Sequence, residues 1–80
     1  MTREEYKKII NDILVSENAR ELEEHELLKD SGLDSFGFIV LYITLDTEYN
    51  LNKFDNAYAT SIDYNTYTLK DMLDRIEDVC

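Results

Sequence analysis

The chain has 80 residues, of which 18 are acidic and eight are basic, so its net charge is −10. A chain of this length forms a single domain, residues 1–80. Its acidic surface disfavours nucleic acid, which requires clusters of lysine and arginine, and favours basic protein partners.

Several function classes receive no support from the residues. No apolar run approaches the ~18 residues of a membrane span, and the charged N-terminus predicts no signal peptide, so a cytoplasmic protein is expected. The only histidine, His25, and a serine do not make a triad, so no enzyme is predicted. No D-x-D-x-D-G spacing occurs, so no metal site is predicted. The single cysteine, Cys80, is expected to be a frayed terminal residue of a monomer, although its thiol could link two chains in air.

A first helix is predicted over residues 2–15. Apolar side chains recur at the spacing of one helical face, and Thr2 with Glu5 matches a capping box. The stripe consists of Tyr6, Ile9, Ile10, Ile13 and Leu14. Residues 16–34 predict a long loop with one helical turn near residues 23–28 and four apolar anchors, Leu22, Leu27, Leu28 and Leu33.

The segment 35–49, SFGFIVLYITLDTEY, has a composition that also suits a strand, but its length favours a helix with Asn50 as C-cap. Asp46 and Glu48 lie near the end of this helix, where the dipole disfavours them, so a role other than helix stability is expected.

Two further helices are predicted downstream. A short one lies around residues 55–61, and a last one covers residues 68–79 with Thr68 as N-cap and Asp71 three residues on. Its apolar stripe is Leu69, Met72, Leu73, Ile76 and Val79. The sum is an all-α fold, a small four-helix bundle of three main helices and one short helix.

Ser35 lies at the first turn of the central helix. Backbone N–H groups there have no intrahelical partner and the dipole is positive, so a phosphate ester on this hydroxyl would be well placed. The alternative is that Asp34 or Ser35 is simply an N-cap, because these residue types are the commonest caps.

The segment GLDSFGFIVLYITLDTEYNL, residues 32–51, resembles the central segment of acyl carrier proteins and the related peptidyl and D-alanyl carrier proteins. Asp34-Ser35-Phe36 stands where that family has Asp-Ser-Leu or Asp-Ser-Met, and TLKDMLDRI resembles the family's last helix. The resemblance covers residues 3–78. It places core residues of the central helix at Ile39, Leu41, Tyr42, Leu45 and Tyr49.

The resemblance implies that Ser35 carries a 4′-phosphopantetheine arm, added from coenzyme A by a phosphopantetheinyl transferase. Asp34 would help to engage that transferase and its Mg²⁺. The thiol of the arm would hold an acyl or aminoacyl group as a thioester and shuttle it between activating and transferring enzymes. Gly37 and the YNTYTL segment look closer to D-alanyl carriers and stand-alone carriers of amino-acid or polysaccharide pathways than to fatty-acid carriers. The alternative is an acidic helical docking module with no covalent cofactor.

The surface beside Ser35 departs from the common fatty-acid carriers, which have acidic residues just after the serine. Phe36, Ile39 and Tyr42–Ile43 form one helical stripe, which predicts that Phe38, with Val40 at its margin, forms an exposed apolar patch. The alternative is that Leu27 or Leu28 covers Phe38. The predicted partner-binding residues are Phe36, Phe38, Val40, Asp46 and Glu48.

Overall fold

A computed structural model of the chain describes residues 2–51 and 54–77. These residues form four α-helices, α1 (Arg3–Ser16), α2 (Ser35–Glu48), α3 (Asn56–Ser61) and α4 (Leu69–Glu77), with a short 3₁₀ helix (Leu28–Ser31) between α1 and α2. The predicted all-α bundle of three main helices and one short helix is confirmed. The predictions for Val79 and Cys80 lie outside the described residues.

Both predicted capping boxes are present. At α1 the Thr2 hydroxyl accepts from the Glu5 amide at 3.2 Å, and the Glu5 carboxylate accepts from the Thr2 amide at 3.0 Å. At α4 the Asp71 amide donates to Thr68 Oγ1 and the Thr68 amide donates to Asp71 Oδ2, each at 3.0 Å. The two helix starts therefore follow from short-range sequence signals.

Asparagines in the left-handed region follow the two longest helices. Asn18 has φ 64° and Asn50 has φ 58°. After α1 the Asn18 amide donates to the Val15 carbonyl and the Ala19 amide donates to the Leu14 carbonyl, which is a Schellman motif. Asn50 was predicted as the C-cap of α2, but the C-cap is Tyr49. Asn50 is the next residue, and its left-handed backbone ends the helix.

The core lies where the inner faces of α1, α2 and α4 meet. Helix α1 packs against both α2 and α4. The predicted stripes of α1 and α4 are confirmed, since Ile10 and Leu14 from α1 and Leu69, Met72 and Leu73 from α4 are fully buried. The loop anchors Leu22, Leu28 and Leu33 are buried as well.

The long loop between α1 and α2 is bonded to α1 and to α4. The buried Asn11 side chain accepts from the Leu22 amide at 2.9 Å and donates to the Leu22 carbonyl at 3.2 Å. Farther along, the carbonyls of Glu24 and Glu26 accept from the first two amides of α4, at 2.8 and 3.1 Å. The loop therefore supplies acceptors that a helix N-terminus lacks within itself.

The face that helix α2 presents to the core matches the predicted one only in part, at Leu41, Leu45 and the partly buried Tyr42. Phe38 is only 6% exposed, whereas Phe36 is 72% exposed. The prediction of an exposed Phe38 is therefore wrong, and so is the placement of Ile39 and Tyr49 in the core, because both are exposed. Leu41 and Leu45 are buried as expected.

The physical reason is that α2 is apolar on every side, so its own periodicity does not choose the buried face. The choice depends on partners elsewhere in the chain. The rings of Tyr64 and Tyr67 lie 5.2 and 5.7 Å from the Phe38 ring, centroid to centroid, and Tyr42 lies at 5.5 Å. These tyrosines, which come mostly from the segment before α4, cover Phe38.

Candidate functional site

The turn that leads into α2 is built around a buried serine. The Ser31 hydroxyl donates to the Leu28 carbonyl at 2.7 Å and accepts from the Leu33 amide at 3.1 Å. Its backbone carbonyl accepts from the Arg20 amide at 2.9 Å. Gly32 follows with φ 92°. Few residues other than glycine and asparagine adopt this left-handed conformation readily. These bonds hold the chain rigidly just before the candidate site.

Asp34 is the N-cap of α2. This agrees with the alternative prediction that Asp34 or Ser35 caps the helix. Its backbone is extended, and its Oδ1 accepts from the Gly37 amide at 2.7 Å. A side chain at Gly37 would place a Cβ 2.6 Å from Leu33 Cδ1. Glycine therefore lets the buried Leu33 pack directly against the first turn of α2.

Tyr64 ties the same turn to the other side of the bundle. Its hydroxyl donates to the Leu33 carbonyl. Burial raises the pKa of the Tyr64 hydroxyl above its usual value, and the charge of Asp34 adds to the effect. The hydroxyl therefore stays protonated and keeps its role as a donor.

Ser35 is the first residue of α2 and it is exposed. Within residues 2–51 and 54–77 its hydroxyl makes no hydrogen bond to the chain, whereas every other serine and threonine hydroxyl makes one. The bonded hydroxyls are those of Thr2, Ser16, Ser31, Thr44, Thr47, Thr60, Ser61, Thr66 and Thr68. Among the described residues, Ser35 thus carries the one serine or threonine hydroxyl that makes no hydrogen bond within the chain.

The helix N-terminus beside Ser35 favours an anionic substituent, whereas two nearby carboxylates oppose one. The hydroxyl lies at the positive end of a helix of 14 residues. Beside it a shallow cavity of about 310 Å³ runs along the turn, and its lining includes the acidic residues Glu17 and Asp34 as well as Phe36. A phosphate on Ser35 would therefore lie close to the helix N-terminus and in contact with solvent.

An exposed apolar stripe begins next to Ser35. Phe36, Ile39 and Ile43 lie on the outer face of α2 and are 72%, 40% and 48% exposed. Val40 is half-buried at its edge. The spacing of Phe36, Ile39 and Ile43 at i, i+3 and i+7 correctly predicts one helical face, but the prediction that this face is buried is wrong.

The predicted acidic partner residues differ in their surroundings. Asp46 is half-buried, and its Oδ2 accepts from the Phe54 amide at 3.1 Å. It therefore fastens the segment after α2, which is a structural reason for an acid near the end of this helix. Glu48, in the last turn, is exposed. Of the five residues predicted to bind partners, only Phe38 is buried and so out of reach of a partner.

Comparison with protein-family models, with curated proteins and with solved structures finds no match for the chain. Among the described residues, no group of three or more His, Cys, Asp and Glu side chains is placed to hold a metal ion. No helix in that part of the chain has the length and apolar character needed to cross a membrane.

Proposed function

We propose that the protein is a carrier whose Ser35 hydroxyl receives a 4′-phosphopantetheine arm from coenzyme A. The observation that carries the proposal is the state of that hydroxyl. It is exposed at the start of α2 and has no hydrogen bond within the described residues, while its neighbour Ser31 is buried and bonded twice. A hydroxyl that a transferase is to modify must be reachable and must not hold the fold together.

The reaction is a phosphoryl-type transfer. The Ser35 oxygen forms a bond to the phosphorus that bears the pantetheine, and the phosphoanhydride bond of coenzyme A breaks. Adenosine 3′,5′-diphosphate leaves with the bonding electrons, and a base of the transferase takes the hydroxyl proton. The new phosphodiester keeps one negative charge, which the N-terminus of α2 stabilises.

The turn around Ser35 supports presentation of this hydroxyl without rearrangement. Tyr64 holds the Leu33 carbonyl and Asp34 holds the Gly37 amide, so the backbone is bonded on both sides of Ser35. Gly37 also allows the close packing that fixes the first helical turn. In the proposal the Asp34 carboxylate also faces the transferase and its Mg²⁺, as the family resemblance implies. A preorganised site reduces the ordering cost of that encounter.

Once modified, the protein acts as a shuttle rather than as an enzyme. The terminal thiol of the arm holds an acyl or aminoacyl group as a thioester, and activating and transferring enzymes load and unload it. A net charge of −10 speeds encounters with basic docking surfaces and makes them sensitive to salt.

A second candidate is a docking module whose serine is never modified. The observation that favours it is the exposed stripe of Phe36, Ile39 and Ile43, since exposed apolar patches often mark partner sites. In this alternative Ser35 is only the first residue of the helix, and its loss would leave partner binding unchanged.

Intact mass distinguishes the two candidates. The wild-type chain, Ser35→Ala and Ser61→Ala are each incubated with coenzyme A, Mg²⁺ and a broad-specificity phosphopantetheinyl transferase. We expect a gain of one phosphopantetheine in the wild type and in Ser61→Ala, and no gain in Ser35→Ala. Ser61→Ala is the matched control because it makes the same chemical change at another exposed serine.

Failure of the wild type to gain mass, with several transferases that modify a known carrier in parallel, would reject the carrier proposal. Circular dichroism of Ser35→Ala tests whether the variant is folded. Its helical content should match the wild type, because the Ser35 side chain makes no hydrogen bond within the described residues.

A further inference from the structure

Six aromatic rings fill the region between α2 and the segment that leads to α4. Five of them form a closed circuit, in which each ring contacts the next. The centroid distances are 5.5 Å for Phe38–Tyr42, 6.1 Å for Tyr42–Phe54, 5.8 Å for Phe54–Tyr58, 6.4 Å for Tyr58–Tyr67 and 5.7 Å for Tyr67–Phe38. The sixth ring, Tyr64, lies 5.2 Å from Phe38.

Hydrogen bonds lock these rings in place. The hydroxyls of Tyr58 and Tyr67 are 2.7 Å apart, and the Tyr64 hydroxyl donates to the Leu33 carbonyl, two residues before Ser35. Phe38, Phe54 and Tyr67 are each less than 8% exposed. Moving any ring would break ring contacts, and moving Tyr58, Tyr64 or Tyr67 would also break a hydrogen bond, so the aromatic circuit resists opening.

Ser35 stands at the boundary between the two faces of α2. One turn along the helix, Phe38 lies on the buried side and Ile39 on the exposed side. A group tethered at Ser35 therefore meets the aromatic circuit if it turns inward and the apolar stripe or solvent if it turns outward.

We infer that the carried group stays outside the bundle, and that Phe38 and Tyr64 are the residues that exclude it, an inference that rests on the proposed function. A long acyl chain gains little from a carrier in which packed rings occupy the described interior on the inner side of α2, because its apolar surface stays in contact with water. A short or polar group, such as an amino acid or a small acyl group, needs no burial. The structure thus assigns this carrier to short or polar cargo.

The test compares two tethered groups of different length on the wild-type chain. A transferase loads the arm from acetyl-coenzyme A or from octanoyl-coenzyme A, and mass confirms complete loading. We expect the two forms to differ in Tm by no more than about 1 °C. We also expect hydroxylamine to cleave the two thioesters at rates within about twofold of the ratio for free acetyl- and octanoyl-pantetheine, because neither thioester is shielded.

The opposite result is equally clear. A Tm about 5 °C or more higher for the octanoyl form, together with about fivefold protection of its thioester, would show that the chain enters the core and would overturn the inference. Absence of any mass gain from either thioester would instead reject the proposed function. The two failures therefore have different readouts.

Phe38→Ala is the variant that should change the outcome. Removing the ring opens a cavity on the inner side of α2, and an apolar cavity of this kind accepts an apolar guest. We expect the octanoyl group to raise the Tm of Phe38→Ala by about 5 °C over its acetyl form. If the octanoyl and acetyl forms of Phe38→Ala have the same Tm, Phe38 is not the residue that excludes the acyl chain. Phe38→Leu replaces Phe38→Ala if the alanine variant does not fold. The comparison of the two wild-type forms tests the inference without either variant.

Discussion

Two Asp-Ser pairs stand four residues apart in KDSGLDSF, and they behave in opposite ways. Ser31 is buried and its hydroxyl closes the turn, whereas the Ser35 hydroxyl is exposed and makes no bond within the described residues. The family resemblance favours the second pair because a long apolar helix follows it. The structure supplies an independent reason, since modification of Ser31 would break the turn that positions α2.

Gly32 is the residue in this turn with the least freedom to change. Its φ of 92° is strained for alanine, while nothing lies within 4 Å of the Cβ that alanine would add. We expect Gly32→Ala to lower the free energy of unfolding by about 1 kcal/mol, entirely through the backbone. Urea denaturation measures the change, and Gly32→Asn, which tolerates the left-handed region, should lose clearly less. Equal losses in the two variants would contradict the backbone explanation.

At the scale of the helices, sequence patterns predict what is local. Helices α1 and α4 are amphipathic and carry capping boxes, so their extents and buried faces follow from their own residues. Helix α2 carries apolar side chains all round, and two stripes of similar quality compete. The buried one, Phe38, Leu41, Tyr42 and Leu45, is selected by contacts with tyrosines more than twenty residues away. No pattern within α2 contains that information.

The course of the long loop could not be predicted from the sequence either, because it also depends on contacts between residues far apart in the chain. The leucine anchors were predictable, but the bonds to α4 are made by backbone carbonyls, which every residue has. Glu24 and Glu26 matter through their carbonyls, which accept from the start of α4. Asn11 could have been noticed, because a polar residue beside the apolar stripe of α1 indicates a buried hydrogen bond.

Asn11 offers a test of how the loop is held. Asn11→Ala removes both bonds to Leu22 and leaves a buried amide and carbonyl without partners. We expect a loss of about 2–3 kcal/mol in the free energy of unfolding, and faster hydrogen exchange at the Leu22 amide. Asp12→Ala, at the exposed neighbouring position, should cost less than about 0.5 kcal/mol. An Asn11→Ala variant as stable as Asp12→Ala would show that the clamp contributes nothing.

At the scale of the whole molecule, Arg3 joins three separate parts of the chain. Its guanidinium contacts Glu24 in the loop at 2.7 Å, Asp74 of α4 at 3.1 Å and Glu77 of α4. The hydrogen bond from Arg3 lowers the pKa of Glu24, and hydrogen bonds from Lys70 and then Arg3 lower the pKa of Asp74. In a chain of net charge −10, such a cation also relieves repulsion among carboxylates.

Arg3→Met should therefore destabilise the protein in a manner that depends on pH. A lowered carboxyl pKa contributes stability above the unfolded value, which is 4.5 for Glu24 and 3.8 for Asp74, and loses it as the pH falls below those values. We expect the Tm of Arg3→Met to lie about 5 °C below the wild type at pH 7 and low salt, and the gap to narrow between pH 4.5 and pH 3. Lys8→Met, which removes an exposed pair with Asp12, is the control and should show a smaller gap. A gap that is constant with pH would mean that packing, not charge, explains the loss.

Attachment at Ser35 is tested most directly by fragmenting one peptide. After incubation of the wild type with coenzyme A, Mg²⁺ and a transferase, trypsin releases residues 30–53, which contain Ser31, Ser35, Thr44 and Thr47. We predict that the phosphopantetheine lies on Ser35 and on none of the other three hydroxyls. An unmodified peptide, from a reaction in which the same transferase modifies a known carrier, would contradict the carrier proposal. A modification at Ser31 would contradict the assignment of the site.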